Sequence, residues 1–360
     1  MSRAARDKLV IYGASGYTGR LLAAQAGGRG LDVVLAGRDG AKLAPLSQQF
    51  GFPSRVAAVD DRDALISALV GAGVVVNCAG PFDATARPVC EACLSVGAHY
   101  LDVGGESRVF AALYDYREAA ARAGVMILPG AGFVMAASDA LAAHVVSRLP
   151  NVRHLWLAVS REASISRGSF ASMLELPDGF APIRRRGKLV AVPAGSLTRR
   201  FDFGQGAREA VIIPWPDPFS AFLTTGVPNI EVYLEADPFS RLVLRASALF
   251  APALRLTPAR KTLEALTPLW PDGPSEAERE ASPKVLVAEA EDVYRRRVAA
   301  RLFTPNVYTF TGDCVIALVE RILAGDARAG YGTPAGVYGA DFVLGLPGVR
   351  REEAGAPRLA

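Results

Sequence analysis

The heptapeptide Gly13-Ala-Ser-Gly-Tyr-Thr-Gly19 constrains this chain more than any other stretch. It follows directly on the apolar run 8–12 and opens a helical pattern over 18–26. Glycine permits a tight turn and a close backbone approach to a pyrophosphate. The helix start beyond it offers N–H groups and the positive end of the helix dipole. Strand, glycine loop and helix in that order are what a dinucleotide-binding α/β domain begins with.

The chain continues in the same rhythm. Apolar, strand-like runs at 32–36, 55–59, 74–78, 99–103 and 125–128 alternate with helical patterns at 42–50, 64–69, 87–96 and 114–123. Runs that are apolar throughout suit strands covered on both faces. The alternation predicts an α/β chain with an N-terminal doubly wound parallel sheet of Rossmann type. Pro129-Gly-Ala-Gly132 breaks the rhythm, and Ser138 reads as the N-cap of a helix reaching about Leu149. Strand candidates then follow without long helices between them, at 154–160, 190–192, 199–203, 211–213, 230–234 and 285–288. They predict a second α+β domain on a mixed or antiparallel sheet. The expected divisions are 1–137 for the first domain and 138–308 for the second. A C-terminal helix and segment at 309–348 returns to the first, and 349–360 is a tail.

Composition narrows the function classes. Hydrophobic residues make up 51% of the 360, enough apolar surface for sizeable cores, which excludes a disordered chain. Four cysteines exclude a disulfide scaffold, and three isolated histidines argue against a His-built metal site. The formal charge of +4 and the absence of a nucleic-acid-binding signature argue against a nucleic-acid partner. The N-terminus has no signal-peptide core, and the uncharged stretch 64–82 is broken by glycines and a proline. The expected location is the cytoplasm.

The cofactor end can be read residue by residue. The glycine spacing of Gly13, Gly16 and Gly19 resembles the looser pattern of NADP-linked reductases, with Ser15, Tyr17 and Thr18 completing the phosphate loop. The second strand ends Ala36-Gly-Arg38-Asp39, where an NAD-binding domain usually has an acid for the ribose 2′-hydroxyl. Arg38, with Lys42 one turn on, suits a 2′-phosphate instead, although Asp39 could play the NAD role. Asp60 could accept from the adenine amine or cap the next helix. Ala79, Gly80, Pro81 and Phe82 follow the fourth strand, where the backbone borders the nicotinamide.

These motifs, with Asn77–Phe82 (NCAGPF), Tyr100–Glu106 (YLDVGGE), PGAGF at 129–133, Thr224–Tyr233 (TTGVPNIEVY) and Gly330–Leu344 (GYGTPAGVYGADFVL), resemble the saccharopine dehydrogenase-like oxidoreductases, a group that includes bacterial trans-acting enoyl reductases. The resemblance implies a Rossmann domain, an inserted α/β domain, a returning C-terminal helix and a nicotinamide cofactor. It implies no single substrate. Enoyl-reductase-like members tend to carry an Asp after the Gly-Phe, where this chain has Val134, so no role of that Asp transfers.

Tyr100, Asp102 and Glu106 fall at the C-terminal end of the fifth strand, the edge where open α/β sheets bind ligands. Asp102 is the candidate acid or base, or else a cap of the following loop. Tyr17 is a candidate donor, or else a packing residue. No Tyr-x-x-x-Lys pair occurs. Cys90-x-x-Cys93 lies in a helical pattern and reads as buried packing, and the basic run 184–188 reads as a surface hairpin turn or as a contact for an acidic substrate, carrier protein or phospholipid. The leading expectation is an NADP-dependent reductase of an activated C=C or C=O bond in an apolar, lipid-like substrate. A saccharopine-type imine or amino-acid dehydrogenase and a non-catalytic NADP-binding, lipid-associated protein are the alternatives. The apolar stretch 219–256, interrupted by arginines, further suggests loose association with a membrane surface, and a second copy of the chain is a further candidate partner.

Overall fold

The computed structural model describes residues 7–161, 166–169, 179–237, 241 and 270–355. The chain divides into two compact units. The first comprises Met1–Gly104, Arg108–Phe133 and Tyr308–Gly332, and the second Gly105–Ser107, Val134–Val307 and Thr333–Ala360.

The first unit holds a parallel sheet whose strands are β1 (Lys8–Tyr12), β2 (Val33–Gly37), β3 (Ser54–Val56), β4 (Ala72–Asn77), β5 (His99–Asp102), β6 (Met126–Leu128) and, near the C-terminus, β15 (Gly330–Tyr331). Their spatial order is β15-β6-β5-β4-β1-β2-β3. Read from β3 to β6 it is 3-2-1-4-5-6, the doubly wound Rossmann order, with its reversal between β1 and β4. Val, Leu and Ile dominate β1, β2 and β4, which are buried almost end to end because helices cover both faces. One core cluster runs through Val10, Val34, Val75, Val89 and Ile127.

Helix boundaries follow local chemistry. In α2 (Gly40–Phe50) the Asp39 carboxylate accepts from the N–H groups of Ala41 and Lys42, and Gly51 ends it in the left-handed region at φ 70°. The next helix, α3 (Arg62–Leu69), is capped by Asp61, so the capping residue is the neighbour of Asp60, which sits exposed in the preceding turn. The helix expected from residue 87 begins five residues earlier, as α4 (Phe82–Val96). The pattern at 114–123 belongs to two helices, α5 (Ser107–Tyr114) and α6 (Arg117–Ala123). Ser138 is not an N-cap. It lies inside α7 (Phe133–Ser147), and its hydroxyl donates back to the carbonyls of Val134 and Met135.

The second unit is built on a mixed sheet. Its strands are β7 (Val152–Val159), β8 (Phe180–Arg185), β9 (Lys188–Pro193), β10 (Thr198–Asp202), β11 (Ala207–Ile212), β12 (Ile230–Glu235), β13 (Lys284–Asp292), β14 (Arg297–Thr304) and β16 (Arg350–Ala354). The main path is β10-β11-β12-β7-β13-β14-β16, with β8 pairing β12 and β9. β12 and β7 run parallel, and the other pairs are antiparallel. Ile183, Phe201, Ile212, Tyr233 and Val287 centre its core. Helices α8 (Asp217–Thr225), α9 (Glu276–Glu280) and α11 (Pro334–Tyr338) belong to this unit, and α10 (Val307–Leu323) carries the chain back to the first.

The C-terminal region departs from the sequence expectation. Within 309–348, the segment up to Gly332 returns to the Rossmann sheet, where β15 pairs with β6, whereas the rest joins the second unit. The expected tail at 349–360 contains β16, whose pairing partner is β14. Its sequence, RREEA, has no apolar pattern, so backbone pairing alone reveals it. Most of the apolar stretch beyond Asp237 lies outside the described residues; of it, Arg241 pairs with Glu209.

The sheet reversal depends on one close approach. A Cβ built on Gly13 would stand 2.6 Å from the backbone N of Ala79, and Gly13 has φ +83°. Gly13→Ala should therefore cost about 2 kcal/mol of stability or more, as urea unfolding would show. A cost under about 0.5 kcal/mol would mean that the two backbones do not meet so tightly.

Candidate nucleotide site and a buried acid junction

Register brings the cofactor residues level. Tyr12 of β1 is paired with Ala36 of β2 and Asn77 of β4, and Asn77 with Asp102 of β5. The loops leaving these strands therefore share the C-terminal edge of the sheet, at the switch point where doubly wound folds bind ligands.

The glycine loop is formed by contact. Gly19, in the first turn of α1 (Tyr17–Gly28), could not carry a Cβ, which would lie 2.5 Å from the Gly13 carbonyl oxygen. The N-cap of α1 is Gly16, and no side chain caps the helix. With no side-chain cap on its first N–H groups, the loop and helix start have the form that suits a pyrophosphate. Ser15 lies in the loop, its carbonyl accepting from Arg20 at 2.7 Å. Thr18 and Gly19 follow in the first turn, and the Tyr17 ring packs edge-on against Tyr308 with centroids 5.0 Å apart.

At the end of β2, Arg38 is exposed. Asp39 is engaged locally, capping α2 and pairing with Lys42 at 3.6 Å. Asp39 thus serves as the cap of its own helix, and Lys42 lies beside it in an exposed pair. Tyr12, whose hydroxyl donates to the Ala57 carbonyl at 3.0 Å, reports on the neighbourhood. Burial raises its pKa, the Arg38 charge opposes this and the Asp60 charge adds to it. Arg38 and Asp60 therefore both act on the end of β1.

The segment after β4 is locked by hydrogen bonds. Asn77 is fully buried; its Oδ1 accepts from the Ala79 N–H at 3.0 Å, and its amide donates to Thr85 at 3.2 Å. Thr85 in turn donates to the Ala79 carbonyl at 2.5 Å. Gly80, exposed, and Pro81 then lead into α4, where Phe82 is buried.

Asp102 is wholly buried and accepts three hydrogen bonds, from the Tyr100 hydroxyl at 2.8 Å and from the N–H groups of Gly104 at 3.0 Å and Gly130 at 2.8 Å. Burial and the Asp102 charge push the Tyr100 hydroxyl well up. Within the second unit, Glu106 is buried and accepts from the Gly105 N–H at 2.9 Å. Cys90 and Cys93 are buried in α4, and burial raises both thiols, as inert packing cysteines require.

A second constellation, absent from the sequence reading, lies in the second unit. Asp139 of α7 accepts from the Thr224 hydroxyl at 2.6 Å and from the Ala335 N–H at 2.8 Å. Thr224 and Thr333 lie 2.5 Å apart, and Thr333 caps α11. The segments that start at 224 and 330, both of which carry the family resemblance, are thus tied at one carboxylate. Asp217, at the start of α8, is fully buried, and neither of its carboxylate oxygens has a donor. Ser138 lies near enough to oppose its shift, but the Ser138 hydroxyl donates to helix carbonyls instead. Burial pushes Asp217 up to about 7, reinforced by the Asp139 charge, and pushes Asp139 up to about 6. The available signal was Asp139 itself, a lone acid in the apolar helical run GFVMAASDALAAHVV.

The comparisons with known proteins agree with this geometry. Residues 9–128 match the model of the saccharopine dehydrogenase NADP binding domain. The chain is 30% identical over 146 residues to the saccharopine dehydrogenase-like oxidoreductase of Mus musculus, covering 35% of this chain and 34% of that protein. It is 29% identical over 157 residues to the trans-acting enoyl reductase of Mycobacterium ulcerans, covering 41% and 38%. The matched segments thus span less than half the length of these relatives. Among solved structures, the apo saccharopine dehydrogenase (L-Glu forming) from Saccharomyces cerevisiae is similar in fold, with TM-score 0.66 and 11% identity over 97% of this chain and 100% of that one.

The first unit is therefore a dinucleotide-binding Rossmann domain. More particularly, residues 9–128 resemble the NADP-binding domain of saccharopine dehydrogenase, and this match supports NADP as the cofactor.

The buried acids generate a pH prediction. An aspartate that holds its proton more tightly folded than unfolded stabilises the fold below its ordinary value of 3.8, and that contribution is lost as pH rises through about 7. Unfolding free energy should therefore fall between about pH 4 and pH 7, at up to about 1.4 kcal/mol per pH unit for Asp217. Asp217→Asn should flatten that slope and be the more stable form at about pH 8. An unchanged slope in the variant, measured by denaturant titration across this range, would remove Asp217 as the source.

Proposed function

We propose that this chain is an NADP-dependent oxidoreductase that reduces an activated C=C or C=O bond of an apolar, lipid-like substrate. The observation that carries the reading is the end of β2, where Arg38 stands exposed beside the switch point while Asp39 is committed to its helix cap. A guanidinium there suits the 2′-phosphate that distinguishes NADP from NAD. The glycine loop and the start of α1 would hold the pyrophosphate, Asp60 would accept from the adenine amine, and Ala79–Phe82 would border the nicotinamide. NADPH supplies the hydride when bound.

The chain's own residues have the tasks of binding, orienting and moving a proton. Asp102, with its carboxylate wholly buried and filled by three donors, acts as a positioning residue that ties β5 to the loops at 104 and 130. Tyr17, half-buried at the head of α1, is the assigned proton donor.

The apolar substrate is supported by what the interior cations of the second unit do. The Arg184 guanidinium donates to the carbonyls of Pro218 and Gly187. Arg199 pairs with Glu289 at 2.6 Å and lies over the Trp156 ring. Lys284 donates to the Arg161 carbonyl. A substrate with several carboxylates would have to draw on cations that are already engaged. The similar trans-acting enoyl reductase of Mycobacterium ulcerans points the same way.

The test is a matched pair of substrates, with NADPH oxidation followed by absorbance. An apolar enone should be reduced, whereas a keto acid with an amine should not. Turnover of the amine pair alone would replace this reading with saccharopine-type imine chemistry.

A further inference from the structure

The β8–β9 hairpin carries an arrangement that the reductase reading leaves unused. Its two-residue turn, Arg186-Gly187, has φ 51° and 78°, the left-handed pair that a type I′ hairpin turn requires. The turn is pinned from outside, the Arg186 N–H donating to Asn229 and the Gly187 N–H to the Pro228 carbonyl. Arg184 anchors the arm, buried over the Phe222 ring at 3.8 Å. The hairpin is therefore a held structure rather than a loose loop.

Its two faces differ. The cross-strand pairs Arg185↔Lys188, Ile183↔Val190 and Ala181↔Val192 share one face; Ile183, Ala181 and Val192 join the core of the unit, whereas Val190 is 38% exposed. Arg184↔Leu189, Pro182↔Ala191 and Phe180↔Pro193 share the other. On that second face Phe180 is 49% exposed and Leu189 44%, and Ala191 and Pro193 are exposed as well. Leu223, next in the chain to the Phe222 that stacks on Arg184, is also exposed. At the turn stand three exposed cations, Arg185, Arg186 and Lys188, and residues 180–193 contain no acid. Among the described strands β9 pairs only with β8, so it forms an edge.

We infer that this hairpin lies flat on an anionic lipid surface. The exposed apolar residues Phe180, Leu189, Ala191 and Pro193 enter the boundary between headgroups and acyl chains; Arg186 at the turn reaches the headgroup phosphates directly, and the long side chains of Arg185 and Lys188, which leave the opposite face, reach them around the edge strand. A second copy of this chain, paired edge to edge, would bring no negative charge to the cations, because residues 180–193 contain no acid. A bilayer offers negative charge and an apolar layer together. The inference goes beyond the proposed reduction and does not depend on it.

The experiment is co-sedimentation of the full chain with phosphatidylcholine vesicles, with and without phosphatidylserine. Binding should need phosphatidylserine and weaken as salt is raised. Each of Arg185→Gln, Arg186→Gln and Lys188→Gln should weaken it about fivefold, and the triple variant about a hundredfold. Phe180→Ser with Leu189→Ser should weaken binding even at low salt. All five positions are exposed, so circular dichroism and NADPH binding should match the parent. The inference is overturned by no sedimentation with either vesicle, by a triple variant that binds as the parent does, or by salt-sensitive binding to polyglutamate without binding to vesicles, which would assign the surface to an acidic protein.

Discussion

The nucleotide end of this protein depends on two backbones meeting where strand order reverses. β1 and β4 are neighbours, so the loops leaving them must part, one toward α1 and the other toward α4. They part only after touching, and Gly13 has no room for a Cβ against Ala79. The Ala79 N–H is held in turn by Asn77, and its carbonyl by Thr85. A side chain at residue 13 would push the second loop away and open the cradle. The hydrogen bonds around Asn77 and the three donors on Asp102 keep the same edge of the sheet fixed, which a binding site requires of its scaffold.

The second unit relies on a different device. Asp139 gathers α7, α8 and α11 through Thr224 and the Ala335 N–H, so that segments 85 and 196 residues away in sequence meet on one side chain. Asp217 lies close enough for the charges to interact, yet has no donor of its own. Two buried carboxylates in such proximity are held most easily when one keeps its proton. The junction is thus stabilised by hydrogen bonds at Asp139 and by neutrality at Asp217.

Much of the first unit could be read from the sequence because its signals are local. A buried parallel strand is an apolar run, a phosphate loop is a glycine pattern, and Arg38 follows its strand directly. The capping errors arose from local competition. Asp61 took the capping role considered for Asp60, and in the second unit Ser138 found helix carbonyls instead of a helix end. The second unit was less legible because its organisation is non-local. β14 and β16 carry charged residues at intervals that hide their strand character, and only pairing with a neighbour reveals them. The junction at Asp139 needs partners from distant segments. One acid in an apolar helix announces that some partner exists but does not say which.

The central proposal is that Arg38, exposed at the end of β2 where Asp39 caps its own helix, selects NADP. A fluorescence titration of Arg38→Ala with both cofactors tests it most directly. A charge-assisted contact with phosphate is worth roughly 1.5–3 kcal/mol, so the variant should bind NADPH about ten- to a hundredfold more weakly and NADH almost as the parent does. Equal losses for NADPH and NADH, or no loss for either, would contradict the account.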